Sequence, residues 1–291
     1  HRQNIKKLIP NAQVICLSSR GNILNENPIY SDLQVANIED LIKHDIRFVV
    51  VASPSSMHLE HCKPLIEAKL PILLEKPICS NLQDSKELIS LVKNNATPVA
   101  VAYCLRFMPS LNSVKDIISS NKIGPIHSVN IVSGQFLPNW RPSRNYKDSV
   151  SANTTLGGGV LLELSHEIDY IRFLFGDLNL QFASLRNSKT LSLDVEEIAD
   201  LTFSNSTNTI FNMHLDFLQD PPERSVRIYG EKGKLYWNLL DNTVHLLSCD
   251  SNSVINKNKK WSSNEMYMNM LKEFLLYIND EGKKYWASTA L

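Results

Sequence analysis

The chain has 291 residues, 43% of them hydrophobic, and its 30 basic residues are balanced by 30 acidic ones. That length accommodates two domains with separate cores, and an even charge without a basic stripe speaks against nucleic acid or a membrane surface as partner. Five cysteines (Cys16, Cys62, Cys79, Cys104 and Cys249) lie far apart with no C-x-x-C pair, which suits a reducing compartment and not a disulfide frame or zinc site. No apolar run approaches the roughly 20 residues that span a bilayer and no signal peptide is visible, so a cytoplasmic enzyme is expected.

Ile5, Leu8 and Ile9 stand at helical spacing from the start. The chain is therefore expected to open inside the first helix of a dinucleotide-binding domain. The strand and G-x-G-x-x-G turn that ordinarily precede such a helix, about a dozen residues, do not occur in it. Gly157-Gly158-Gly159 is glycine-rich but follows no strand in a βαβ unit. The sequence reads as a fragment, with an upstream strand to be expected. A strand is predicted over 13–18 and a short helix over 38–44, with Ile38, Leu41 and Ile42 on one face. Arg47-Phe48-Val49-Val50-Val51-Ala52 is a β-branched run without alternation, the mark of a buried parallel strand. Ser53-Pro54-Ser55-Ser56 turns the chain into a helix over 57–69 with an apolar stripe at Leu59, Cys62 and Ile66. A strand at 71–74, a helix at 81–94 and a strand at 98–102 follow, with Ser80 and Gln83 forming a capping box for the helix. This alternation predicts a Rossmann-like, doubly wound parallel sheet over 1–102, its first strand missing. Beyond a boundary near Tyr103, the order is helix 109–120, strand 126–136 and helix 158–175. Strands are then predicted at 181–186, 196–203, 209–217, 225–229, 233–238 and 243–248, and a last helix at 264–279. Residues 103–291 are thus expected to form an α+β substrate-binding and catalytic domain with a mostly antiparallel sheet.

Glu75-Lys76-Pro77 falls at the carboxyl end of the strand at 71–74, the edge where open α/β sheets bind ligands. A lysine at an arbitrary position reaches into solvent. At this one, its ammonium can hydrogen-bond a carbonyl oxygen and stabilise developing alkoxide charge. His166 could be an ordinary core histidine. Its neighbours Glu163 and Asp169, three residues to either side, can approach the same helical face. No second histidine stands at i+4 of His166, and His58 and His61 stand only three apart, so no metal site is expected.

Ala52-Ser53-Pro54, His58 and Glu75-Lys76-Pro77 together resemble the first domain of the Gfo/Idh/MocA oxidoreductases, the glucose-fructose oxidoreductase and inositol dehydrogenase family. Gly157 to Asp169 resembles the family's second-domain helix, and Tyr103-Cys104-Leu105-Arg106-Phe107-Met108-Pro109 its junction segment. Two positions depart from the pattern: Cys104 where an asparagine is usual, and Leu162 where many members carry an aspartate four residues before the histidine. The resemblance implies an NAD(P)-dependent dehydrogenase or reductase moving a hydride between a nicotinamide and a CH–OH group of a sugar, nucleotide sugar or polyol. It places such an enzyme in carbohydrate or glycan-precursor metabolism. It further implies Lys76 and His166 as catalytic residues, a cis Lys76–Pro77 bond, and homo-oligomers built on exposed sheet faces. Ser53, Pro54, His58, Glu75 and Lys76 would lie against the cofactor, and Arg106, Glu163 and Asp169 on the substrate side. Either Glu163 or Asp169 would orient His166. A non-catalytic sugar or dinucleotide sensor on the same fold is the rival reading, and retention of both Lys76 and His166 argues against it.

Cofactor choice is read after the strand at 13–18, where a carboxylate favours NAD and an arginine the 2′-phosphate of NADP. Ser18-Ser19-Arg20, with no acid before Glu26, leans to NADP, with Ser19 and Arg20 as contacts. The loop Leu137-Pro138-Asn139-Trp140-Arg141-Pro142-Ser143-Arg144-Asn145-Tyr146 sets aromatics beside arginines. Trp140 and Tyr146 could stack on sugar C–H faces, and Arg141 could meet hydroxyls or an anionic group. A loop anchored by a buried tryptophan is the plainer alternative. Because pyrophosphate rests on the backbone N–H groups of a glycine turn, a chain with a strand and glycine turn placed ahead of residue 1 should bind NADP far more tightly than residues 1–291. Calorimetry on the two proteins checks this, and equal affinities would refute it.

Overall fold

Short apolar runs become the parallel strands of the first half of the chain, with residues 72–74 and 99–101 fully buried and the other strands mostly half-buried. The computed structural model describes residues 1–248, 252–257 and 261–279. After helix α1 (Arg2–Leu8), strand β1 (Ile15–Leu17) pairs in parallel with β2 (Leu33–Val35). Strand β2 has no counterpart in the sequence reading, since Leu33-Gln34-Val35 is too short to show a period. Helix α2 (Ile38–Ile42) leads to β3 (Val49–Val51), which pairs in parallel with β4 (Ile72–Leu74), and β4 with β5 (Val99–Val101). Helix α3 (His58–Glu67) follows β3 after one short turn, and α4 (Leu82–Asn95) lies between β4 and β5. The N-cap of α4 is Asn81, whose side chain accepts the Asp84 N–H at 2.9 Å. The cap is thus not the expected Ser80–Gln83 box: asparagine one residue later is an equally good N-cap and takes the bond. Cys62, Leu65, Ile66, Ile72, Leu74, Leu88 and Val99 form the core between helices and sheet. Strands β1 and β3 each keep one unpaired edge, and residues of both line a cavity of about 1020 Å³.

The second half opens with α5 (Pro109–Ser119), β6 (Ile126–Gly134), α6 (Val160–Glu163) and α7 (His166–Phe175). It continues with β7 (Asn179–Arg186), β8 (Ile198–Ser204), β9 (Ile210–Asp216), β10 (Glu223–Gly230), β11 (Gly233–Asn238), β12 (Thr243–Ser248) and β13 (Asn252–Lys257). These strands make one eight-stranded sheet in the order β13-β12-β11-β10-β6-β9-β8-β7, antiparallel except for β6 against β9. Strand β13 was not foreseen. Helices α5 and α6 pack on one face, which buries Val129, Ile131, Leu201, Phe211, Met213, Val226, Ile228 and Trp237. The single helix expected over 158–175 is two, broken at Leu164 and Ser165. Burial continues across the break at Val160, Leu164 and Ile171, so the apolar period gives no hint of it. Trp237 donates its indole N–H to Ser110 Oγ at 2.8 Å, fixing α5 to the sheet.

The chain divides into two compact units, His1–Cys104 with the segment from Ser263 onward, and Leu105–Ser262. The closing helix α8 (Asn264–Ile278) therefore groups with the first unit, whereas the sequence reading assigned it to the second. Its tie is specific: Asn4 and Asn264 exchange a reciprocal pair of amide bonds of 3.0 Å, and Phe274 meets Phe48 edge-on at 5.6 Å. Cys16, Cys62 and Cys79 are free thiols and Cys104 is buried, while Cys249 and residues 280–291 lie outside the described residues. No described helix is long and apolar enough to cross a membrane.

Within the second unit, Arg106 and Asp169 form a two-pronged pair, Nε to Oδ2 at 2.7 Å and Nη2 to Oδ1 at 2.6 Å, with side chains 5% and 7% exposed. It holds the segment after β5 against α7. Removing one member leaves the other charge buried without its partner, which costs about 3–5 kcal/mol. Asp169→Ala should lower the thermal midpoint markedly, and Arg106→Met combined with Asp169→Leu should recover most of the loss. Calorimetric melting of the three proteins decides it.

Candidate active site

Each candidate cofactor residue follows the carboxyl end of a parallel strand. After β4 come Glu75, Lys76 and Pro77, with the Lys76–Pro77 peptide cis. Lys76 is half-buried. Glu75 Oε1 lies 2.6 Å from His1 Nε2, and Oε2 accepts the Lys76 backbone N–H at 3.2 Å. Behind them sits His58, only 1% exposed at the start of α3. Its Nδ1 is 3.0 and 2.9 Å from the carbonyl oxygens of Pro77 and Ile78, and its Nε2 is 3.0 Å from that of Ser53. Both ring nitrogens therefore face backbone carbonyls, and His58, expected against the cofactor, joins the loops after β3 and β4. His61, one turn's reach further, places Nδ1 2.9 Å from Ser53 Oγ, and burial pushes its pKa down.

After β1, the Gly21 N–H closes a turn on the Ser18 carbonyl at 2.9 Å. Ser18, Ser19, Ser53 and Pro54 all line the cavity that runs along β1 and β3, whereas Glu75, Lys76 and His58 do not. Arg20 is exposed, and its guanidinium has no hydrogen-bond or ion-pair partner among the described residues.

In the second unit the break at Leu164 and Ser165 makes His166 the first residue of α7, half-buried with Nδ1 shielded from solvent. Glu196 seats its carboxylate on the N-terminus of α6, accepting the Leu161 N–H at 3.1 Å, where the helix dipole favours an anion. Gly159 makes room for it: at φ +111° and with the Glu196 oxygens 2.4 Å from where a Cβ would stand, no side chain fits. Glu163 accepts from Ser151 Oγ at 3.2 Å. Asp169 engages both oxygens with Arg106, so the two residues expected on the substrate side form a buried ion pair. Burial pushes the Asp169 carboxyl up against the pull of that guanidinium.

The 137–146 loop is tethered at its aromatic residues. Trp140 donates its indole N–H to the Gln135 carbonyl at 3.2 Å and meets Phe217 edge-on at 5.6 Å; Tyr146 donates its hydroxyl to the Leu191 carbonyl at 3.1 Å. Arg141 and Arg144 are exposed. Among the described residues, no three His, Cys, Asp or Glu side chains gather as a metal-holding group. Glu196 and Ser151 were not singled out by the sequence reading, and His61 was weighed there only as a metal ligand. The glycine run before α6 was the one available signal, since glycines in series mark a close approach.

Residues 3–103 match the family model described as an oxidoreductase family with an NAD-binding Rossmann fold, and residues 111–236 match the GFO/IDH/MocA C-terminal domain. Oxidoreductase P35 of Formosa agariphila is 26% identical over 216 residues, covering 72% of this chain and 64% of that protein. Levoglucosan dehydrogenase in complex with NADH superposes with a TM-score of 0.80 at 18% identity, over 93% of this chain and 81% of the other. KijD10, a 3-ketoreductase of Actinomadura kijaniata in complex with NADP and TDP-benzene, gives 0.75 at 16% identity, over 89% and 79%. The chain spans 54% to 64% of the length of three curated relatives. With both domain models matched in order across the two units, the chain belongs to the GFO/IDH/MocA oxidoreductase family.

Proposed function

We propose that this chain is part of an NAD(P)-dependent oxidoreductase that acts on a CH–OH group of a sugar, nucleotide sugar or polyol, with the cofactor on the first unit and the substrate on the second. The observation that carries the reading is Lys76, set at the carboxyl end of β4 in a segment pinned by His58. When bound, the nicotinamide supplies or accepts the hydride. The chain's own residues manage the proton that must move on the same carbon's oxygen. The Lys76 ammonium donates to that oxygen and stabilises its developing negative charge, and His166 gives or takes the proton. Glu75 holds the Lys76 segment through the Lys76 N–H. With Asp169 committed to Arg106, Glu163 is the carboxylate assigned to orient His166.

The Rossmann family match and the neighbour bound to NADH support nicotinamide use. The free guanidinium of Arg20 beside Ser19 favours NADP, since it offers a fork for the 2′-phosphate. Ser53 and Pro54 would flank the nicotinamide. The tethered Trp140 and Tyr146, with exposed Arg141, would line the sugar, and a 3-ketoreductase complexed with NADP and TDP-benzene is consistent with a nucleotide-linked substrate. Homo-oligomers would form on the sheet face away from α5 and α6, where Phe182, Ile210 and Val254 are exposed.

In the full-length enzyme, screened against sugars and nucleotide sugars with NAD and NADP separately, Lys76→Ala and His166→Ala should each lower kcat by about 100-fold or more. The double variant should lose less than the product of the two, as expected for groups acting on one oxygen. Glu75→Gln should weaken cofactor binding or misplace Lys76. A kcat for Lys76→Ala within a few-fold of the parent overturns the assignment and favours a sensor.

A further inference from the structure

Strands β7, β8 and β9 carry a charged cluster on the sheet face away from the helices. His214 stands between two carboxylates, its Nδ1 2.6 Å from Asp200 and its Nε2 3.1 Å from Asp216, and Arg186 pairs with Asp200 from β7. Asp216 is only 3% exposed and is saturated. Its Oδ1 accepts the Leu218 and Gln219 N–H groups at 2.6 and 2.8 Å, and its Oδ2 accepts the Gln219 side-chain amide at 2.8 Å. Gly134, across the ladder on β6, is what lets the carboxylate sit there: a Cβ would stand 2.4 Å from Oδ2.

The turn that Asp216 organises carries the root of the 137–146 loop. Gln135 N–H donates to the Asp216 carbonyl at 3.3 Å, Phe136 N–H to that of Gln219 at 2.6 Å, and Leu137 N–H to that of Phe217 at 2.9 Å. Trp140 then packs on Phe217 and bonds Gln135. We infer that His214 is a positioning residue for the Trp140 loop, its imidazolium fixing the Asp216 carboxylate on which the loop root is built. That this loop touches substrate rests on the function proposed above; the coupling of His214 to Trp140 does not.

Hydrogen bonding to Asp216 raises the His214 pKa to about 9, from an ordinary 6.5, against the effect of burial. Burial pushes Asp216 up, but His214 and the two backbone N–H groups outweigh it and hold the carboxyl below its usual value. The other charged groups around the imidazole are Asp200 and Arg186, with Glu223 beyond Gly134 on β10 and Asp220 after the turn; β6 offers none on this face. A group raised in the folded state stabilises fully below its unfolded pKa and loses that contribution as pH rises through the folded one. The cluster should therefore be complete below about pH 6.5 and undone as pH passes about 9.

The test is fluorine NMR of the chain labelled with 5-fluorotryptophan, the Trp140 signal being assigned from Trp140→Phe. In the parent, the Trp140 resonance should titrate with a midpoint near 9 while that of Trp237, buried under α5, stays flat. In His214→Gln the step should vanish. A flat Trp140 signal in the parent, or the same midpoint in His214→Gln, overturns the inference. If His214→Gln fails to fold, the parent titration still decides: a Trp140 step that Trp237 shares reports general alkaline loosening and counts against it. In the full-length enzyme, the KM for a sugar found in the screen should rise across the same interval with cofactor affinity unchanged. A Trp140 step without that rise would leave the coupling intact and refute the substrate role of the loop.

Discussion

One buried imidazole holds the carboxyl edge of the three-stranded sheet in register. His58 lies at the start of α3, yet its two ring nitrogens face the backbone of two different strand–helix connections, Ser53 after β3 and Pro77 and Ile78 after β4. Those carbonyls are beyond reach of the ladders that order the strands, and a buried carbonyl left without a donor costs about 1–3 kcal/mol. Lys76 directly precedes the Pro77 that this clamp holds. The neighbouring core of β4 and α3 is close-packed, with Leu74, Cys62 and Ile66 fully buried.

The second unit solves the same problem with carboxylates. Glu196 pins the start of α6, and Glu197, fully buried, gathers the Ser188 and Leu191 N–H groups into the β7–β8 turn. Asp169 locks α7 through Arg106, and Asp216 builds the turn under Trp140. The buried Asp169, Glu197 and Asp216 each accept two or more hydrogen bonds, the condition under which a buried carboxylate is tolerated, while the half-buried Glu196 accepts from the Leu161 N–H. The loops that flank His166 and carry Trp140 are thereby fixed by side chains of the sheet and not by their own composition.

How much of this the sequence disclosed depends on how local each signal is. The run at 47–52 announces β3 because β-branched residues in series favour an extended strand, and Lys76 declares itself because it follows another short apolar run. Strand β2 escapes notice because three residues carry no period, and the break before His166 because burial continues through it. The pairing of Arg106 with Asp169 spans 63 residues and that of His58 with Ile78 spans 20. Nothing in composition says which of several available partners a charge or an imidazole will take, so neither pairing was legible in the sequence. Trp140 shows the reverse case: the sequence allowed either an anchored ring or a sugar platform, and the indole N–H bond to Gln135 and the edge-on contact with Phe217 account for the anchor.

The most direct measurement of the account is therefore made at His58 and not at a reacting group. In the full-length enzyme, His58→Leu should remain folded by circular dichroism at the assay temperature while kcat falls by about tenfold or more, the scale of a clamp worth 1–3 kcal/mol. Parental turnover in a folded His58→Leu protein would contradict the claim that this ring sets the position of Lys76.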